Sequence, residues 1–356
     1  MARNTNNSIL HKAKESKSDE FYTQYCDIES ELAHYNNQFI GKTVYCNCDD
    51  PLKSNFFRFF VKNFHALGLK KLISACYQKS ADSLFGNEQP KGYYIIYEGE
   101  SYDKIEHLYN KITYFQGNGD FRSDESKKFI DECDVVVTNP PFSLFREFVA
   151  TIMRYNKKFL IIGNINSITY KDIFELIQNN KVWLGHNIGR GISGFIVPDH
   201  YELYGTEARI NEHGQRIVSS NNCLWLTNLE SPLRNEFIPL TKVYIGNESQ
   251  YPVFDNYDAI NVNRTQDIPK DFAGAMGVPI TFLHKYNPQQ FEIIKFRKGN
   301  DDKDLSIGGK CPYFRILIRN LQPYSKTQST VCQRKNIENK RLQAFSKRDT
   351  IQPSLF

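Results

Sequence analysis

Asp134-Val135-Val136-Val137-Thr138-Asn139-Pro140-Pro141-Phe142 is the stretch on which the reading of the fold turns. Three successive valines between polar residues predict a short buried strand, Asp134 to Thr138. The two prolines end it, because proline has no N–H for a ladder and biases the residue before it toward extended backbone. A helical pattern follows from Leu144 to about Tyr155. Strand, NPPF and helix together place a carboxamide and an aromatic ring at the carboxyl edge of a sheet, where open α/β sheets bind ligands. A bare strand-to-turn transition can also produce Asn-Pro-Pro, and the flanking strand and helix favour the ligand edge over it.

Working outward, strand and helix patterns alternate. Toward the N-terminus lie a helix over Asp27 to Tyr35, a strand over Thr43 to Cys46, and the break Asp49-Asp50-Pro51. Next comes a phenylalanine-rich helix, FFRFFVKNFHALG, capped by Ser54 or Asn55 and stopped at Gly68. Strands are predicted over Lys71 to Cys76 and Tyr93 to Tyr97, and a helix from Asp124. Toward the C-terminus come a strand over Phe159 to Ile162 and a helix over Tyr170 to Gln178. This order predicts an α/β fold: a mostly parallel sheet with helices on both faces. Beyond residue 180 the candidates are shorter strands, WLGHNI, GFIVP and CLWLTNL. Residues 230–310 offer Asn, Tyr, Pro and Asp and no long amphipathic helix, which reads as loop material. The expected division is a basic arm over 1–18, a main domain over 19–229, a loop-rich recognition region over 230–320 and a basic tail over 321–356.

Composition narrows the class. With 24% charged and 40% hydrophobic residues in 356, the chain reads as globular, and its eight cysteines contain no CxxC pair. No metal site is expected, since neither the cysteines nor the eight histidines fall at ligand spacing. No stretch approaches the roughly 18 apolar residues of a membrane span, and the start lacks the apolar segment of a secretory signal, so a cytoplasmic protein is expected. The formal charge of +5 is unevenly spread: the first 18 residues carry +3, residues 325–356 carry +5, and the body between is −3. Basic ends read either as solvated termini or as arms for a phosphate backbone.

The tetrapeptide Asn139-Pro140-Pro141-Phe142 resembles the (D/N/S)PP(Y/F) motif of S-adenosylmethionine-dependent N6-adenine methyltransferases. Longer strings make the chain similar to the EcoRI-type adenine-specific modification methyltransferases: KSDEFYTQYCDIE, VYCNCDDP, GDFRSDES, VVTNPPFSLFREFV, GRGISGFIVPDHYELYGTEARI and GVPITFLHKYNP. The resemblance implies a Rossmann-like methyltransferase sheet, S-adenosylmethionine as cofactor without a metal, and double-stranded DNA as partner. It implies a monomer, and a cognate restriction endonuclease encoded nearby but not bound. The implied target is GAATTC, methylated on its inner adenine.

By the same resemblance Asn139, Pro140, Pro141 and Phe142 are catalytic. Asn139 and the Pro140 carbonyl would accept the N6 hydrogens, and Phe142 would stack on a flipped base. Tyr22 and Thr23, Asp49, Asp50 and Pro51, and Asp120 and Phe121 fall at cofactor motifs. There Asp120 would accept from the cofactor's amino group and Phe121 would stack. Lys12, Lys14 and Lys17 would meet DNA, and Phe195 would form a second wall for the flipped base. The chain departs from many relatives in having CNCDDPLKS where they have a glycine-rich loop. It also ends LISACY without a ribose-binding acid, leaving Asp50 as the candidate. Two other readings keep the fold: transfer to RNA adenine or protein glutamine, and a DNA-binding protein without turnover.

Overall fold

The computed structural model describes residues 22–78, 91–187, 192–198, 208–211, 214–219 and 222–324. Lys12, Lys14 and Lys17 and the tail from residue 325 lie outside the described residues. The described residues fall into two compact units that divide between Leu233 and Arg234.

In the first unit the order is β1 (Tyr22–Thr23), α1 (Tyr25–Leu32), β2 (Thr43–Cys46), α2 (Asn55–Lys62), β3 (Lys71–Cys76), β4 (Tyr93–Tyr97), β5 (Thr113–Tyr114), α3 (Asp124–Glu132), β6 (Val135–Thr138), α4 (Phe145–Arg154), β7 (Lys158–Asn164), α5 (Lys171–Gln178), β8 (Trp183–Leu184), β9 (Phe195–Val197), β10 (Ala208–Ile210), β11 (Arg216–Val218) and β12 (Cys223–Thr227). Eight strands form one sheet in the order β5-β4-β3-β2-β6-β7-β12-β8. Its centre, β3-β2-β6-β7, is parallel, and β4 and β12 run against it on either side. After β2 the chain adds β3 on one flank and later returns to add β6 on the other. The crevice between the carboxyl ends of β2 and β6 is therefore the topological switch point, where such sheets hold ligands. A smaller sheet, β1-β9-β11-β10, joins the N-terminal strand to later ones.

Period-two alternation sends the residues of each central strand to opposite faces. Val44 and Cys46, Val135 and Val137, and Leu160 and Ile162 share one core with Ile28 and Leu32 of α1 and Phe56, Phe57 and Phe60 of α2. At about 1.5–3 kcal/mol per fully buried large side chain, those phenylalanines are a principal term holding α2 to the sheet. On the other face Tyr45 meets the edge of Phe129 of α3 at 5.7 Å. Phe145 of α4 lies on Gly163 of β7, where a Cβ would stand 2.6 Å from the ring. Helices thus cover both faces, as the alternation predicts.

Helix α2 begins at the expected cap, with the Ser54 hydroxyl accepting from the Phe56 N–H at 3.0 Å. It ends at Lys62, six residues before Gly68, with Asn63 as its cap: the Asn63 backbone N–H and side-chain amide both donate to the Phe59 carbonyl, at 3.0 Å and 2.9 Å. The chain then turns through Gly68, at φ +62°, into β3.

The second unit holds, among the loops expected there, a sheet that the sequence pattern does not announce. It contains a four-stranded sheet, β13 (Ala259–Asn261), β14 (Ala275–Pro279), β15 (Phe291–Phe296) and β16 (Arg315–Asn320), in the order β13-β14-β16-β15. Met276, Val278, Phe282, Phe291, Ile316 and Ile318 are fully buried in it. Arg319 and Glu292 stand opposite each other on β16 and β15 and pair at 2.9 Å.

Candidate functional site

The switch point is built from three strand ends and one loop. Beyond β2 come Asn47, Cys48, Asp49 and Asp50. The Asp49 carboxylate is buried and takes three donors: the Ser54 hydroxyl at 2.9 Å, the Thr138 hydroxyl, and the backbone N–H of Asn139. Thr138 in turn accepts from the Cys48 N–H at 3.0 Å, and the Ser74 hydroxyl of β3 donates to the Asp49 carbonyl at 2.7 Å. The ends of β2, β3 and β6 and the first turn of α2 are thereby tied together by hydrogen bonds.

Burial pushes the Asp49 carboxyl up from 3.8 to about 6, against the opposing pull of its donors. Between those values the folded protein binds a proton that the unfolded chain has released, so this group's contribution to stability declines as pH rises from about 4 to about 6. The decline is about 3 kcal/mol at most. In urea titrations across that window, Asp49→Asn is expected to lose stability less steeply with rising pH than the parent, and parallel slopes would contradict the assignment.

Asp50 accepts from the Tyr93 hydroxyl at 2.8 Å and the Leu52 N–H at 2.9 Å, so it is fixed at the same edge. The loop Gln116 to Phe121 closes the far side. Gly119, at φ +78°, lies so close to β3 that a Cβ would stand 2.7 Å from the Cys76 carbonyl oxygen, and Gly92 is as close to the Asn118 carbonyl, at 2.5 Å. Burial first, then the charges of Asp49 and Asp120, push the Cys48 thiol up. Both Asp120 oxygens receive the Arg122 guanidinium, at 2.9 Å and 2.6 Å, which holds the carboxyl below its usual range.

Phe121, the expected stacking platform, packs against the protein on α4. It is buried, with its ring edge-to-face on Phe148 at 5.1 Å and Arg122 over its face at 5.6 Å. A Phe following Asp in a turn can be claimed by the core, and α4 supplies the aromatic partner that claims it.

At the end of β6, Phe142 is half-buried and meets Phe195 at 6.3 Å with the rings 68° apart. Phe195 is itself buried and pairs across the small sheet with Thr23. Thus the structure brings together Tyr22, Thr23, Phe195 and Phe142, which are far apart in sequence. Asn55 donates to the Thr23 carbonyl at 2.8 Å, and Lys53 lies 5.9 Å from the Tyr22 ring centre.

Sequence reasoning missed three residues here. Asn47 is 1% exposed with neither its side-chain oxygen nor its nitrogen bonded, and Thr23 carries a buried unbonded hydroxyl. Unsatisfied buried polar atoms are costly, and those at a ligand edge suit a ligand with amino, carboxylate and hydroxyl groups. Thr138 is the third. The signals were slight: one amide inside VYCNC and one hydroxyl ending VVVT.

A second cluster holds the segment leading to Phe195. Glu31, fully buried on α1, accepts from the N–H groups of His186 and Asn187, both at 2.7 Å, and from the Tyr35 hydroxyl at 2.8 Å. Asp27, one turn earlier, accepts from the Ser193 N–H and hydroxyl at 2.9 Å and 3.0 Å. Among the described residues no group of His, Cys, Asp and Glu could hold a metal ion, and no helix is long and apolar enough to cross a membrane.

A doubly covered sheet with NPPF at its switch point and acidic and polar strand ends beside it defines the class, the S-adenosylmethionine-dependent methyltransferases acting on adenine. The chain belongs to the family described as adenine-specific methyltransferase EcoRI, whose model matches residues 9–351. It is 63% identical over 321 residues to the type II methyltransferase M.EcoRI of Escherichia coli, covering 90% of this chain and 98% of that one. It is 38% identical over 331 residues to the type II methyltransferase M.MpnI of Mycoplasma pneumoniae, covering 88% and 98%. It is 37% identical over 333 residues to the type II methyltransferase M.MgeORF184P of Mycoplasma genitalium, covering 88% and 99%. No solved structure matches the chain.

Proposed function

We propose that this adenine-specific methyltransferase modifies N6 of the inner adenine of GAATTC in duplex DNA, in the cytoplasm and as a monomer, alongside a separately acting endonuclease. The observation that carries the reading is Asn139-Pro140-Pro141-Phe142 at the switch point, with Phe195 beside Phe142. S-adenosylmethionine, when bound, supplies an electrophilic methyl group on its sulfonium.

The adenine amino group is a weak nucleophile, because its lone pair is delocalised into the ring, and in a duplex it is also paired. Extruding the base removes the second obstacle. Asn139 Oδ1 and the Pro140 carbonyl each accept one N6 hydrogen, favouring a tetrahedral nitrogen whose lone pair points at the methyl group. Neutral acceptors suit the step, since no proton has to leave before attack. As the N–CH3 bond forms, the S–CH3 bond would break with its pair staying on the departing thioether, and the surplus N6 proton would then be lost to solvent. Positioning and electrostatics supply the acceleration. Phe142, half-buried against Phe195, offers a ring for the extruded base.

For the cofactor, Thr23 and Asn47 have buried polar atoms to donate and accept. Tyr22, Asp50, Pro51 and Asp120 line the same edge, with Asp50 as the ribose acceptor. Residues 230–320 are assigned to sequence recognition. Competition among duplex DNA, RNA and glutamine-containing peptide as acceptors of tritiated methyl tests the class of substrate. Label entering RNA or peptide in preference to DNA would overturn it.

The N-terminal arm runs directly into Tyr22 and Thr23 and is expected to close on bound DNA. Deleting residues 2–14 removes Arg3, Lys12 and Lys14. If all three neutralise phosphates, the slope of log K against log salt falls by up to about 3. An unchanged slope would show that the arm contributes no phosphate contact.

A further inference from the structure

We propose that Asp49 is a positioning residue for methyl transfer, acting through Thr138 and Asn139 and not through the cofactor. The inference rests on Asn139 accepting an N6 hydrogen, as proposed above. Asn139 is followed by two prolines, which restrict its backbone to extended conformations and fix the geometry of the Pro140 carbonyl. Where that rigid unit sits beyond the ladder pairs Val44–Val135 and Tyr45–Val136 is fixed by its N–H donating to Asp49.

The preceding Thr138 hydroxyl donates to the same carboxylate and accepts from Cys48 at 3.0 Å, so β6 is registered on β2 by two consecutive residues. Ser54 fixes the other oxygen at 2.9 Å, and Thr138 and Ser54 are as buried as Asp49 itself. Held by protein donors on both oxygens, two of them from Thr138 and Asn139, the carboxylate has its acceptor capacity directed toward the catalytic strand. Keeping an acid buried there costs stability above pH 6, a cost that packing alone would not select.

The test compares single-turnover methylation at saturating cofactor and DNA for Asp49→Asn, Thr138→Val, Thr138→Ser and Asn139→Ala. Displacing a reacting group by about 1 Å can cost on the order of 10²-fold in rate. Asp49→Asn and Thr138→Val should lose on the order of 10²-fold in the chemical step, with Thr138→Ser restoring most of the loss. Dissociation constants for S-adenosylmethionine and for duplex should stay within about threefold, the change that lost positioning without lost binding would leave.

An unchanged rate in both Asp49→Asn and Thr138→Val would overturn the inference. So would a loss that appears only as weaker cofactor binding, which would make Asp49 a cofactor ligand. If Asp49→Asn does not fold, the Thr138 pair decides, since a valine keeps the shape and removes only the hydroxyl. Asn139→Ala separates the two readings: if it retains full activity, the catalytic assignment itself fails, whereas an inactive Asn139→Ala beside normal Asp49→Asn and Thr138→Val defeats only the positioning role.

Discussion

Asn139→Ala should reduce single-turnover methyl transfer by on the order of 10³-fold while leaving duplex binding within about threefold. The magnitude follows from removing one preorganised group that acts where charge develops, which costs about 10²–10³ in rate in enzymes of other kinds. The selectivity follows from position. Asn139 lies at the end of a fully buried strand, and its backbone is held by Asp49 and by Pro140, so truncating the side chain leaves the surrounding edge in place. Rapid-quench measurement with labelled cofactor gives the rate, and fluorescence anisotropy gives the binding. Weakened binding that tracks the lost rate would show that Asn139 serves recognition instead.

The second large effect concerns stability. Glu31→Ala removes the acceptor of two backbone N–H groups and the Tyr35 hydroxyl, at a fully buried position packed against Gly185. A Cβ on that glycine would already lie 2.4 Å from the Glu31 oxygen. Losing one partner of a buried charged network costs about 3–5 kcal/mol. Burial raises the Glu31 carboxyl pKa while its three donors oppose the shift, so the group is itself expensive to bury, which argues for the lower figure. A fall in Tm of roughly 6–12 °C is expected from about 3 kcal/mol in a unit of this size. Glu31→Gln, which keeps one acceptor and the shape, should lose less. A Tm within about 1 °C of the parent for Glu31→Ala would contradict the account, being far below the expected 6–12 °C shift. Because Glu31 and Asp27 hold His186–Asn187 and Ser193, the destabilised variant should also bind the flipped base less well through Phe195.

Much of the fold could be read from the chain because its central strands are uninterrupted apolar runs bounded by breakers. Thr43–Cys46, Lys71–Cys76 and Tyr93–Tyr97 fall where the pattern puts them. The NPPF motif was legible for the same reason: local sequence dictates strand, stop and helix.

What escaped was settled by tertiary partners. Phe121 packs edge-to-face on Phe148, a contact that its place in GDF does not announce. Asp120 is fixed by Arg122, two residues on, which donates to both its oxygens. In FEIIKF and RILIRN, charged residues share short strands with buried isoleucines, and their pairing joins segments some 25 residues apart. No local pattern announces such a sheet. Glu31 gives one faint signal, since it shares a helix face with Asp27, Ile28 and Leu32, all buried.

The most direct test is base-resolution mapping of N6-methyladenine on plasmid incubated with the protein and S-adenosylmethionine, paired with challenge by an endonuclease that cuts GAATTC. The expected result is methylation of the inner adenine at every GAATTC site, with full protection from cleavage and no modification after Asn139→Ala. Methylation confined to another sequence would contradict the proposed target, and a plasmid without N6-methyladenine would contradict the activity itself.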